Sequence, residues 1–150
     1  MLDALTERLH ELYPEMVEFR RDLHMYPELS FEEERTPAKI AEYLQALGLQ
    51  VRTGVGGRGF VATIEVAKRG QTVALRADFD ALPIQEETGL PFASKVPGKM
   101  HACGHDLHTA ALLGVAKVLA QNRESLSGRV VLIHQFAEEI EPGGALPMIE

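Results

Sequence analysis

The chain has 150 residues, 45% of them apolar and 25% charged, with a formal net charge of −7. These are the proportions of a soluble globular domain, and the negative balance disfavours nucleic acid or an anionic membrane as the main partner. One cysteine excludes an internal disulfide. The N-terminus is charged throughout, without a signal-peptide core, and no apolar run approaches the ~20 residues that span a bilayer, so a cytoplasmic location is expected.

Residues 3 to 24 carry Leu5, Leu9, Leu12, Met16, Phe19 and Leu23 at spacings of three and four, which predicts an amphipathic helix that Pro14 kinks or divides. Pro27 stops it. Ser30 followed by Glu33 reads as a capping box opening a second helix from about Phe31 to Leu47, with Ile40, Leu44 and Leu47 inward and Gly48 as its C-terminal cap. A short strand is expected over Leu49 to Thr53. Gly54, Gly56 and Gly59 formally satisfy a dinucleotide-binding glycine pattern. The next residues are the β-branched run F-V-A-T-I-E-V rather than a helix, so these glycines predict a hairpin turn. A turn over Lys68 to Gln71 leads to a strand over Thr72 to Ala77, whose apolar character on both faces predicts a central position.

Asp78 and Asp80 come at that strand's end, where ligands gather in α/β proteins, although an Asp- and Pro-rich turn is the plainer reading. Residues 84–98 predict an extended loop. A helix is expected over His108 to Asn122, with Ala111, Leu112, Val115, Val118 and Leu119 as its stripe and Asp106 as its cap. A strand over Gly128 to Gln135 runs directly into Glu138 and Glu139, and a further helix begins near Gly144. The element order predicts a mixed α/β sheet with helices on both faces, incomplete at its edge.

Lys99 to Thr109, K-M-H-A-C-G-H-D-L-H-T, holds three of the six histidines and the only cysteine. Cys103 and His105 alternate around Gly104, so both can aim at one point. No second cysteine knuckle exists, which excludes a closed zinc-finger site. The plainer reading is a buried cysteine beside surface histidines; the sharper one is an open metal site. If three strand ends deliver Asp78/Asp80, Cys103/His105 and Glu138/Glu139 side by side, thiolate, imidazole and carboxylate form a donor set suited to zinc, manganese, cobalt or nickel. One glutamate can then ligate while its neighbour takes a proton from water.

The runs R-R-D-L-H-M-Y-P-E-L-S-F-E-E, G-V-G-G-R-G, R-A-D-F-D-A-L-P-I-Q-E, H-A-C-G-H-D-L-H-T-A and Q-F-A-E-E-I-E-P-G-G-A together resemble the N-terminal part of the metal-dependent amidohydrolases of aminoacylase/carboxypeptidase type. Hippurate hydrolase, indole-acetyl-amino-acid hydrolases and N-acetyldiaminopimelate deacetylase belong to that group. The resemblance implies hydrolysis of the amide bond of an N-acyl amino acid or small peptide, with two divalent ions as cofactors. It implies that Cys103 bridges the ions, that His105 and Glu139 are ligands, that Glu138 is the general base, and that Asp80 orients a ligand from behind. His134 and Phe136 depart from the more usual F-Q-P-A-E-E run. The roles of Asp78, His101, His108 and His134 stay open.

The resemblance further implies that residues 1–150 are the N-terminal portion of a catalytic domain. Later metal-binding histidines and an inserted lid and dimerisation domain lie outside these residues, so the expectation is a truncated, inactive fragment of a homo-oligomeric enzyme. Two alternatives stand beside it: a non-catalytic metal-binding remnant, and a hydrolase using Cys103 as nucleophile with His105 or His108 as base.

Overall fold

The computed structural model describes residues 2–66 and 68–150. Helices α1 (Leu2–Met25) and α2 (Arg35–Ala46) lead into strands β1 (Gln50–Val55), β2 (Gly59–Glu65) and β3 (Thr72–Asp78); helix α3 (His105–Gln121), strand β4 (Arg129–Gln135) and the short helix α4 (Ala145–Ile149) complete the order. The strands form one mixed sheet in the order β1-β2-β4-β3. β1, β2 and β4 pair antiparallel, while β3 and β4 are parallel, with Asp78 opposite Gln135. That parallel pair sends two chain segments out of the same end of the sheet. It is the step that brings residue 80 beside residue 139.

The fold is the expected mixed sheet flanked by helices. Phe60, Ala62, Ile64 and Leu132 point to one face and pack against Ile40, Ala41 and Leu44 of α2 and Leu112, Leu113, Ala116 and Ala120 of α3. α1 lies outside α3 and comes close where Gly114 offers no side chain: a Cβ there would stand 3.2 Å from the Met16 thioether. Glu15 of α1 accepts from Lys117 of α3 (2.6 Å) and from Tyr43 of α2 (2.7 Å), tying the three helices together. The opposite sheet face, with Val61, Thr63, Val131 and Ile133, is only half-buried, so among the described residues helices cover one face rather than two.

Several sequence expectations need correction. α1 runs unbroken through Pro14, because that turn is solvent-exposed and water can satisfy the carbonyl the proline leaves free. β3 is an edge strand, with Val73 52% exposed, because β4 inserts between it and β2; its apolar sequence packs on one side only. The stripe of α3 is broader than one face. Leu113, Ala116 and Ala120 are buried as well, while Ala111 is exposed, since the helix is sandwiched between sheet and α1.

The capping box does not form. The carboxylate of Glu28 instead accepts the backbone N–H groups of Glu34 (3.1 Å), Arg35 (2.9 Å) and Thr36 (2.7 Å), and so caps α2, which starts four residues later than expected. Gly48 does close α2, with φ +75°, and the glycines 54 to 59 form the β1–β2 hairpin.

Candidate metal centre

Asp80 lies just past the end of β3, and Glu138 and Glu139 just past the end of β4. Cys103 and His105 come from a different kind of element. They flank the N-terminus of α3, where Gly104 takes φ +99°, a left-handed conformation that favours glycine, and swings both side chains toward the strand ends. The site therefore combines two strand ends and one helix start, not three strand ends.

The ligand atoms of Cys103, His105 and Glu139 all lie within 4.8 Å of one another. His105 organises the group. Its Nδ1 donates to the backbone carbonyl of Asp80 (2.9 Å) and faces Asp80 Oδ1 at 3.2 Å, which turns Nε2 toward the remaining acidic groups. Around Nε2 stand Glu139 Oε1 at 3.5 Å, Asp78 Oδ1 at 3.6 Å and Glu138 Oε2 at 3.8 Å. Asp80 Oδ2 accepts the Ser30 hydroxyl (2.6 Å) and the Glu139 N–H (3.0 Å), so one carboxylate fixes both the imidazole and the glutamate backbone. Asp78 turns to His108 Nδ1 (2.8 Å) and Arg76 (3.0 Å). Asp78, His105 and His108 form a second cluster of potential ligand atoms sharing His105.

The electrostatics arise from this crowding. Burial works to lower the pKa of His105, but the hydrogen bond to Asp80 and the charges of Asp78 and Asp80 outweigh it and raise the pKa to about 9. Burial works to raise the pKa of Asp80, but hydrogen bonds from His105, Ser30 and the Glu138 and Glu139 amides hold it well below the usual carboxylate range. The Cys103 thiol is pushed up to about 11, first by its hydrogen bond to Glu139, then by burial and by the charges of Glu139, Glu138 and Asp78. Glu139 Oε1 is buried with no hydrogen-bond partner. Imidazole, thiol and carboxylates thus converge on one point. The donor set of sulfur, nitrogen and oxygen fits a divalent ion.

A free cysteine nucleophile fits poorly, because surrounding carboxylates suppress the thiolate it needs.

Sequence reasoning missed a layer behind the site. His24 Nδ1 stands 2.7 Å from Asp106 Oδ2, and its Nε2 3.2 Å from Glu86 Oε1, while Arg20 Nε reaches the same Asp106 oxygen at 2.7 Å. Asp106, expected as a cap, accepts only the N–H of its neighbour Leu107 (2.9 Å) within the helix and spends its other oxygen on α1. This buried group joins α1, the 84–98 loop and the first turn of α3. Ser30 and Glu33 were also missed as site residues. The only signal was their S-x-x-E spacing, and that spacing pointed to a cap.

Residues 74–150 match Peptidase family M20/M25/M40. YhaA of Bacillus subtilis (strain 168), a provisionally named amidohydrolase, is 64% identical over 97% of the chain, which spans 37% of that protein. The N-acetyl-L-cysteine deacetylase of the same organism is 51% identical over 95% of the chain, which spans 34% of its length. Among solved structures, Bacillus subtilis YxeP, a dinuclear metal-binding peptidase of the M20 family, superposes with TM-score 0.87 and 46% identity over 93% of the chain and 39% of YxeP. The ordered motifs, the mixed sheet and the match over residues 74–150 agree: this chain belongs to Peptidase family M20/M25/M40.

Proposed function

We propose that the chain forms part of a metal-dependent hydrolase acting on the amide bond of N-acyl amino acids or small peptides. The observation that carries this reading is the convergence of Cys103, His105 and Glu139 on one point, with Glu138 at its rim. The names of the deacetylase and the peptidase to which the chain is similar support the substrate class. Cys103, His105 and Glu139 would help hold two divalent ions, zinc, manganese, cobalt or nickel. Bound ions polarise the scissile carbonyl and bring the pKa of water to roughly 7.

The chain's own residues divide the remaining work. Asp80 keeps the proton of His105 on Nδ1, so that Nε2 stays a donor of electrons. The side chain of Glu139 is 18% exposed and faces inward, as a ligand does. That of Glu138 is 40% exposed and open to water. Glu138 accepts a proton from the attacking water and passes it to the departing amine nitrogen. The relatives are more than twice as long as this chain, and we propose that the 150 residues alone bind metal weakly and turn over little.

The test separates the two glutamates. Glu139→Gln should lose metal, measured by mass spectrometry of the bound ion, because an amide donates poorly to a divalent cation. Glu138→Gln should keep the metal and, in a chain of the relatives' length, lose about 10²–10⁴ in kcat on an N-acyl amino acid. Equal metal loss in both variants, or full activity in Glu138→Gln, overturns the assignment. Bound metal without turnover in the unaltered long chain would favour a non-catalytic binding module.

A further inference from the structure

Two non-glycine residues among those described have a left-handed backbone, Phe31 with φ +66° and Ala137 with φ +47°. They lie more than one hundred positions apart in sequence. Yet the segments carrying them touch: the Phe31 ring meets the ring of Phe136 edge-on, at 5.8 Å between centroids. Backbone strain of this kind persists only where the surroundings hold it, and it collects at functional sites. Here it sits immediately before the Glu138–Glu139 pair.

The surroundings that hold it are specific. Glu33 is fully buried, and its Oε1 accepts the N–H of Ala137 at 2.9 Å. Ser30, also buried, donates to Asp80 Oδ2, which in turn accepts the N–H of Glu139. The turn is thus gripped at residues 137 and 139, by one carboxylate on each amide. The left-handed twist at Phe31 lies between Ser30 and Glu33 and lets both side chains reach inward from one short segment. On the far side, the carbonyl of Ala137 accepts the N–H of Gly144 (2.9 Å), completing the loop.

We propose that Ser30 and Glu33 are positioning residues of the metal centre, clamping the strained turn at Ala137 so that Glu138 and Glu139 face His105 and Cys103. Neither residue belongs to the cluster of ligand atoms; Ser30 acts through Asp80, and Glu33 through the Ala137 amide. The inference rests on the metal-centre reading above. Glu33 meets the Ala137 amide through Oε1 alone. Its Oε2 has no partner, and burial, ahead of opposing hydrogen bonds from its own and the Ala137 amide, raises its pKa. Glutamine therefore keeps the hydrogen bond to Ala137, and alanine removes it.

The test uses the 150-residue chain with cobalt(II) as probe, titrated by the thiolate-to-cobalt charge-transfer band of Cys103, beside amide hydrogen exchange of the metal-free protein. Glu33→Ala should weaken cobalt binding by about 10–100-fold, as loss of an outer positioning contact does, while Glu33→Gln should stay within about threefold of wild type. Exchange at the Ala137 amide should quicken in Glu33→Ala and hold in Glu33→Gln. A generally destabilised fold would lose affinity in both variants and speed exchange throughout the sheet.

If Glu33→Ala does not fold, Ser30→Ala removes a single hydroxyl and should weaken cobalt binding through the loosened Asp80–Glu139 link. Wild-type affinity in Glu33→Ala, or in Ser30→Ala when that variant stands in, overturns the proposal, as does equal loss in Glu33→Gln and Glu33→Ala. A wild-type chain with no charge-transfer band even in large cobalt excess overturns the metal-centre reading instead. The clamp is then decided by exchange alone, and an unchanged Ala137 amide in Glu33→Ala refutes it.

Discussion

His134 is a burden on the fold that acid should reveal. It lies on β4, fully buried, stacked on Phe60 with centroids 4.6 Å apart, and neither ring nitrogen has a hydrogen-bond partner. Burial alone pushes its pKa down to about 3. The native state therefore holds the ring neutral, while the unfolded chain protonates it below about pH 6.5. Above that pH the group contributes no pH-dependent difference. As pH falls from 6.5 toward 3, the unfolded state gains a proton that the native state refuses, and stability falls by up to ~1.4 kcal/mol per unit.

At pH 5.0 this amounts to about 2 kcal/mol. At neutral pH the unpaired nitrogens themselves cost about 1–3 kcal/mol, the usual penalty for a buried polar group without a partner. Phenylalanine has nearly the same planar shape and carries neither penalty. Urea denaturation of wild type and His134→Phe at pH 7.5 and 5.0 should find the variant more stable at both, with the gap about 2 kcal/mol wider at the lower pH. Parallel pH dependence in the two proteins, or a less stable variant at pH 7.5, would refute the reasoning.

Other perturbations test the geometry elsewhere. Asp80→Asn removes the charge that keeps His105 electron-rich and should weaken cobalt binding by about 10–100-fold, read by the charge-transfer band. His24→Ala leaves buried Glu86 without its imidazole and Asp106 Oδ2 with Arg20 alone, and should cost about 3–5 kcal/mol in urea denaturation. Glu28→Ala frees three amides at the start of α2 and should cost about 0.5–2 kcal/mol. Burial opposes ionisation of Glu28 but the amides of Thr36, Arg35 and Glu34 win, lowering its pKa, so its contribution is present at neutral pH and fades as acid protonates it.

The parts of the site that could be read from sequence are those that are local. Cys103 and His105 sit two residues apart and Glu138 beside Glu139, so residue type and spacing alone suggest a shared target. The helices were legible through their apolar period, and the hairpin through its glycines. What escaped depended on distant pairings. Ser30 reaches Asp80 across 50 positions and Glu33 reaches Ala137 across 104, and nothing local distinguishes them from a helix cap. The edge position of β3 was hidden for a similar reason, because only the insertion of β4 decides which strand lies outermost. Asp106 read as a helix cap, and nothing near His24 or Glu86 in sequence linked them to it.

That insertion has a consequence for how the protein comes into being. β1 and β2 can zip as a hairpin once residue 65 is made, but β3 then has no neighbour in the sheet until β4, beginning at Arg129, threads between β2 and β3. Joining strands so far apart in sequence is slow, because the loop must close before any pairing rewards it. During synthesis the residues before Arg129 must therefore wait with two open strand edges, the kind of surface on which nascent chains aggregate. When β4 arrives it joins β2 to β3 and, within four residues, delivers Glu138 and Glu139. Cys103, His105 and the two glutamates can therefore converge only after this distant pairing has formed, and an ion captured there would act as a latch on it.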